Sequence, residues 1–216
     1  MNLYFDLDGT LIDSSLAAIK ATQHTFQTLF GLQIDKSAII DRMGIPIEVT
    51  FVDFGKGRVN AENLQDVIAT FRSTYANVAP DSIRSVPGIE EIADTIEQIS
   101  AACAIVTSKK TIVAERDLKS VNLHFFSKVI VGSDKVTSYK PDPDPLIVAR
   151  HELGARKSAE IMIGDADVDM QMGKAAGVKT IGVTWGSHSA DRLTNAGADK
   201  IAEAPRMLAE MLREIE

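Results

Sequence analysis

The sequence predicts an α/β protein: a doubly wound parallel-sheet (Rossmann-like) core with an inserted α-helical domain. Two observations carry this. From Val86-Pro87-Gly88 onward, apolar strand-like runs alternate with helical patterns, as in a parallel sheet covered on both faces. Ahead of that point, about 70 residues carry helical signals with no β-rich run among them. The first strand-like run precedes this stretch and belongs with the later ones. The core is therefore assigned to 1–13 and 84–216, and the insert to 14–83.

The elements follow in order. Leu3–Asp6 is a short apolar strand ending in a carboxylate. Residues 14–30 place Leu16, Ile19, Phe26, Leu29 and Phe30 at helical spacing, with Ser14 or Ser15 as a cap and Gly31 as a stop. Further helical signals cover Lys36–Met43, Pro46–Phe54 and Ala61–Val78. Strand-like runs then occupy Ala102–Val106, Lys128–Val131, Ile161–Ile163, Lys179–Val183 and, more weakly, Asp199–Ala202. Helices are expected at Ile89–Ile99, Ile112–Val121, Pro145–Leu153, Val168–Ala176, Ala190–Ala196 and Pro205–Ile215. Right-handed crossovers would join the strands into one parallel sheet.

Bulk properties narrow the function classes. A formal charge of −7 with no basic stripe argues against nucleic acid or an anionic membrane as partner. No apolar run approaches a membrane span, and no basic-then-apolar leader opens the chain. The single cysteine, Cys103, excludes an internal disulfide and fits a reducing cytoplasm. It lies in an apolar run and reads as a small buried hydrophobe.

The chemistry gathers where strand-like runs end. Asp6 and Asp8 stand two apart, so on a strand they tend to point the same way. Two adjacent carboxylates repel unless a cation lies between them or one holds a proton. Metal binding, acid/base chemistry or both are open. A second run ends in Thr107-Ser108-Lys109, and a later one in Gly164-Asp165-Ala166-Asp167-Val168-Asp169. Ligands of open α/β sheets bind at the carboxyl ends of strands. Asp6, Asp8, Asp165 and Asp169 would supply hard oxygen ligands without a His/Cys cluster, which suits Mg²⁺ better than zinc. Asp167 and Asp169 also fit as favourable charges at a helix N-terminus. A calcium-loop reading fails because Met170 and Ala176 stand where glycine and glutamate belong. Lys140, in a proline-rich loop, would supply a fixed cation beside the carboxylates. His24, His124, His151 and His188 show no ligand spacing. Trp185 follows a strand and reads as packing or as part of the site wall.

Taken together, these residues resemble the haloacid dehalogenase-like phosphohydrolases, in particular the phosphoglycolate-phosphatase-like branch with a helical cap. The D-x-D-G-T motif corresponds to Asp6-Leu7-Asp8-Gly9-Thr10, the Thr/Ser motif to Thr107 with Ser108 beside it, the lysine motif to Lys140-Pro141, and G-D-x-x-x-D to Gly164-Asp165 through Asp169. All four occur in order across essentially the whole chain. The resemblance implies Asp6 as nucleophile and Asp8 as general acid and base. Mg²⁺ would be held by Asp6, the backbone of Asp8, and Asp165, with Asp169 orienting its water shell. Thr107, Ser108 and Lys140 would hold phosphoryl oxygens. Arg42-Met43-Gly44-Ile45-Pro46 resembles the cap specificity loop and also reads as an ordinary helix end. β-Phosphoglucomutases carry a histidine where Ala18 stands and a cap arginine where Ile47 stands, so hydrolysis is favoured over mutase chemistry. The expectation is a cytoplasmic Mg²⁺-dependent phosphatase, monomer or homodimer, acting on a small phosphoglycolate-like metabolite. Pyrophosphatase, nucleotidase, sugar-phosphate phosphatase, phosphomutase and a non-catalytic phosphate-binding regulator are the alternatives.

Overall fold

The computed structural model describes residues 1–124, 126–154 and 159–215. Its central sheet has six parallel strands in the order β5-β4-β1-β6-β7-β8. These are β1 (Asn2–Phe5), β4 (Ala102–Val106), β5 (Val129–Val131), β6 (Glu160–Gly164), β7 (Lys179–Val183) and β8 (Lys200–Ala202). The first strand thus lies in the middle, between β4 and β6. All four of its residues are buried, as a strand covered on both faces requires.

Side-chain alternation divides the core between the two faces. Leu3 and Phe5 pack with α5 (Ile89–Gln98), α6 (Thr111–Ser120) and α10 (Pro205–Arg213). Tyr4 instead joins Val106, Met162 and residues of α7 (Asp144–Glu152) and α8 (Asp167–Ala175). A shorter helix, α9 (Ala190–Asn195), lies between β7 and β8.

Four helices form the insert: α1 (Ser15–Phe30), α2 (Lys36–Asp41), α3 (Ile47–Phe54) and α4 (Leu64–Ser82). Phe51 centres their core, meeting Phe26 edge-on at 5.3 Å and Phe71 at 5.0 Å between ring centroids. Gly31 ends α1 in the left-handed conformation at φ 64°, which glycine adopts without steric cost. The last helix runs past the expected Val78 because Pro80 falls in its final turn, where a missing N–H removes only one ladder bond.

The two chain crossings between core and insert are held by a small antiparallel pair. Here β2 (Ile12–Asp13) meets β3 (Arg84–Ser85), Ile12 opposite Ser85 and Asp13 opposite Arg84. Two-residue strands are too short to leave a period in the sequence.

Candidate active site

Register brings the motifs together. Phe5 pairs with Ile105 on one side and Ile163 on the other, so the residues just beyond all three strands share one edge. Asp6 follows β1, Thr107 follows β4 and Asp165 follows β6. Lys140 arrives from the loop before α7. Asp6 (2 % exposed), Lys140 (6 %), Asp165 (1 %) and Asp169 (0 %) form a buried charged cluster.

The lysine closes it. Its Nζ donates to Asp6 at 2.6 Å and to Asp169 at 2.7 Å. Burial disfavours the ammonium, but Asp169 and Asp6 more than offset this and raise its pKa. Burial likewise pushes the Asp6 carboxyl up, to about 6, against the pull of Lys140. Asp165 is pushed further, to about 8, by burial and by the charges of Asp6 and Asp169. It accepts bonds from Thr10 Oγ1 at 3.0 Å and from the Ser187 backbone at 2.7 Å. Asp169 accepts from the Ala166 backbone at 3.1 Å, tying it to the start of α8.

Asp6, Asp165 and Asp169 each offer a carboxylate oxygen, all within 4.8 Å of one another. Three carboxylates so close against one lysine leave negative charge uncompensated, and all-oxygen donors are those of a hard divalent cation. The surrounding backbone is shaped to the cluster: a Cβ on Gly9, at φ +83°, or on Gly186 would collide with the Asp165 carboxylate. The residues present therefore fit a metal of the Mg²⁺ type.

Asp8 lies outside this triad. Both it and Asp6 line the same cavity, as their spacing predicts, yet their neighbours differ. The Asp8 carboxylate accepts from Lys109 Nζ at 2.6 Å and from the Ser14 hydroxyl. Desolvation raises its pKa, Lys109 opposes that, and Asp6 adds to it. The adjacent pair thus faces two separate environments.

Lys109 is the residue that sequence reasoning left without a role. It also donates to Asp117 and Tyr75, each at 2.8 Å, and Tyr75 donates to Asp117 at 3.0 Å. Tyr75 comes from α4 of the insert and Asp117 from α6 of the core, so the cluster joins the two. The only local signal was the position of Lys109, directly after Thr107-Ser108. Nothing local marks Tyr75 and Asp117, since a tyrosine at helical spacing reads as core and an aspartate within a helix as surface.

One expectation changes, and a second residue gains a partner. Ser14 precedes α1 but does not cap it, because its hydroxyl is used on Asp8. Ser108, expected to hold a phosphoryl oxygen, donates its hydroxyl to the Gly44 carbonyl at 2.6 Å. That bond ties the 42–46 loop of the insert to the end of β4. Thr107 is buried and lines the same cavity as Asp6 and Asp8, and Arg42, Met43 and Gly44 line it too. Trp185 donates to the Thr10 carbonyl at 3.1 Å and so supports the motif-bearing turn. His188 is buried and accepts from the Asp167 backbone at 3.0 Å, a packing role.

A family profile described as haloacid dehalogenase-like hydrolase matches residues 3–183. The chain belongs to the haloacid dehalogenase-like hydrolases. Its relatives in that family include a pyrophosphatase PpaX from Halalkalibacterium halodurans, 33% identical over 91% of this chain and 89% of that one. An N-acetylmuramic acid 6-phosphate phosphatase from Pseudomonas aeruginosa is 32% identical over 96% and 92% of the two chains. Among solved structures, a predicted phosphatase from Clostridium acetobutylicum superposes with a TM-score of 0.89 at 27% identity, covering 99% of this chain and 98% of that one. This haloacid dehalogenase-like hydrolase therefore shares its fold with that structure over nearly the whole of both chains. Among its described residues, no helix is long and apolar enough to cross a membrane.

Proposed function

We propose that the chain is a Mg²⁺-dependent phosphatase that hydrolyses a small phosphorylated metabolite, phosphoglycolate-like in size, through an aspartyl-phosphate on Asp6. It is a phosphoric monoester hydrolase by class. The observation that carries the mechanism is the separation of Asp6 from Asp8. Carboxylates whose surroundings differ in this way take different parts in a reaction.

Asp6, held by Lys140, is the nucleophile. Its carboxylate oxygen bonds to phosphorus as the bond from phosphorus to the leaving oxygen breaks. Asp8 gives its proton to that leaving oxygen. Water then attacks the phosphorus of the aspartyl-phosphate, Asp8 takes the proton back, and phosphate leaves with the Asp6 carboxylate restored. Lys140 and the Thr107 hydroxyl stabilise the charge carried by the phosphoryl oxygens. Asp6, Asp165 and the backbone carbonyl of Asp8 would hold Mg²⁺, with Asp169 orienting its water shell; the ion would add positive charge at the phosphoryl group. The helical insert acts as a cap that excludes water from the closed cavity.

Hydrolysis is preferred to phosphomutase chemistry because Ala18 and Ile47 line the cavity, and no histidine among the described residues does. Pyrophosphatase activity is the second reading, supported by the name of the Halalkalibacterium relative. The test is phosphate release from p-nitrophenyl phosphate with and without Mg²⁺, for the wild type and for Asp6→Asn. Activity that needs Mg²⁺ and disappears in Asp6→Asn is expected. Activity that survives the substitution, or ignores the metal, refutes the mechanism.

A further inference from the structure

Given that phosphatase reading, the two oxygens of Asp8 are not equivalent. Oδ1 accepts from Lys109 Nζ at 2.6 Å and from the Ser14 hydroxyl. Oδ2 accepts from no described residue, and the side chain is 14 % exposed on the cavity wall. A carboxylate held by one oxygen presents the other for proton exchange, in an orientation set by the donors that hold it.

The main donor, Lys109, is itself fully engaged. An ammonium carries three N–H donors. Here one goes to Asp8, one to Asp117 at 2.8 Å and one to the Tyr75 hydroxyl at 2.8 Å. The last two acceptors fix where Nζ stands, and through Nζ they fix Asp8. Asp117, 1 % exposed, is anchored in turn by Arg116, which donates to its Oδ1 at 2.8 and 3.1 Å.

Tyr75 is the member of this chain of contacts that comes from the insert. Its ring lies against Phe71, with centroids 5.7 Å apart, as any core aromatic might. A phenylalanine would fill that space equally well. The hydroxyl does something a phenylalanine cannot: it accepts from Lys109 and donates to Asp117 Oδ2 at 3.0 Å. Its hydrogen and a lone pair are both engaged by the core, so it acts on Lys109 and Asp117. The Lys109 ammonium and the Arg116 guanidinium also lie over the Tyr75 ring, 5.1 and 5.6 Å from its centroid, where the ring face attracts cations.

We propose that Tyr75 is a positioning residue for the acid/base chemistry: with Asp117, its hydroxyl fixes the Lys109 ammonium that holds Asp8 Oδ1, and so directs Oδ2 to the leaving oxygen. The other donor to Oδ1, Ser14, stands directly before α1. Both donors on Asp8 therefore answer to the insert, one through Tyr75 and one by its place in the chain. The insert supplies part of the acid/base apparatus as well as a wall of the cavity.

The test uses the full chain with Mg²⁺ and measures kcat/KM for phosphate release from phenyl phosphate and from p-nitrophenyl phosphate. The two esters are close in shape, but phenol is the poorer leaving group and needs the Asp8 proton more. In Tyr75→Phe, which removes only the hydroxyl, the ratio of the phenyl to the p-nitrophenyl value is expected to fall about three- to tenfold, as for one hydrogen bond. A ratio of two rates on one enzyme does not depend on how much of it is folded, so a merely structural loss leaves it unchanged. In a Lys109→Met background the same substitution should lower the ratio no further, because the hydroxyl acts through the ammonium. A fall of less than about twofold in Tyr75→Phe overturns the inference, since it is smaller than one hydrogen bond supplies. An equal further fall in the Lys109→Met background also overturns it. Both outcomes leave the phosphatase reading intact, whereas no phosphate release from p-nitrophenyl phosphate by the wild type would remove that reading itself.

Discussion

Replacing Lys109 with methionine probes the link between insert and chemistry. The lysine sits 2.6 Å from Asp8, 2.8 Å from Asp117 and 2.8 Å from the Tyr75 hydroxyl. The side chains of Lys109, Asp8 and Asp117 are 17 %, 14 % and 1 % exposed, so solvent screens the pairs only in part. Removing one partner of a buried pair typically costs about 3–5 kcal/mol. The loss here is smaller because Asp117 keeps Arg116 at 2.8 Å and Asp8 keeps the Ser14 hydroxyl. A cost of about 2–3 kcal/mol is expected, read as a lower urea midpoint with unchanged slope. For a chain of this size that is a fall of about 5–10 °C in Tm. Activity should fall further than stability explains. A positioned acid/base group contributes about 10²–10⁴-fold, and an Asp8 freed from Lys109 keeps only part of that. We therefore expect kcat to drop about 10- to 100-fold, more steeply for alkyl than for p-nitrophenyl esters, since a good leaving group needs less protonation. The reasoning is refuted if Lys109→Met keeps the wild-type kcat on alkyl esters or the wild-type urea midpoint.

Two predictions concern the metal. The Asp165 carboxyl is pushed up to about 8, so in the folded metal-free chain it keeps a proton that the unfolded chain, near its ordinary value of 3.8, has lost. Its contribution to stability is complete below the unfolded value and is lost as pH rises through about 8. Mg²⁺ binds the ionised form, so the rise in Tm on adding Mg²⁺ should grow from about pH 6 to about pH 8 and then level off; a pH-independent rise would contradict this. Asp165→Ala should abolish most Mg²⁺ affinity by calorimetry, whereas Asp8→Ala should leave it largely intact. Equal losses would contradict the assignment of the Asp8 side chain to proton transfer.

Much of this architecture was legible in the residues. Strands covered on both faces are continuous apolar runs, and Ala102–Val106 and Lys179–Val183 begin and end where the sequence placed them. The acidic and lysine motifs follow such strands or sit in a proline-rich loop, so parallel topology alone brings Asp6, Asp165, Asp169 and Lys140 together. What stayed hidden depends on long-range pairing. Lys109 meets Asp8 across 101 positions, and Tyr75 meets Asp117 across 42, with no periodicity to announce either contact. The partners of the Ser14 and Ser108 hydroxyls were hidden for a related reason. A hydroxyl beside a helix start or a phosphate motif has an obvious local use, and here a distant acceptor captured it: Asp8 for Ser14 and Gly44 for Ser108. The β2–β3 pair was invisible because two residues carry no pattern.

The central claim is that Asp6 carries the phosphoryl group. Its most direct measurement is acid quench of the Asp8→Ala variant during turnover with Mg²⁺ and p-nitrophenyl phosphate, followed by borohydride reduction and peptide mass spectrometry. A good leaving group still lets the first step proceed, while the missing base slows loss of the acyl-phosphate. The account predicts reduction of a trapped acyl-phosphate to homoserine at position 6, absent when substrate is withheld. Turnover with Asp6 unmodified, or with the modification on another carboxylate, would contradict it.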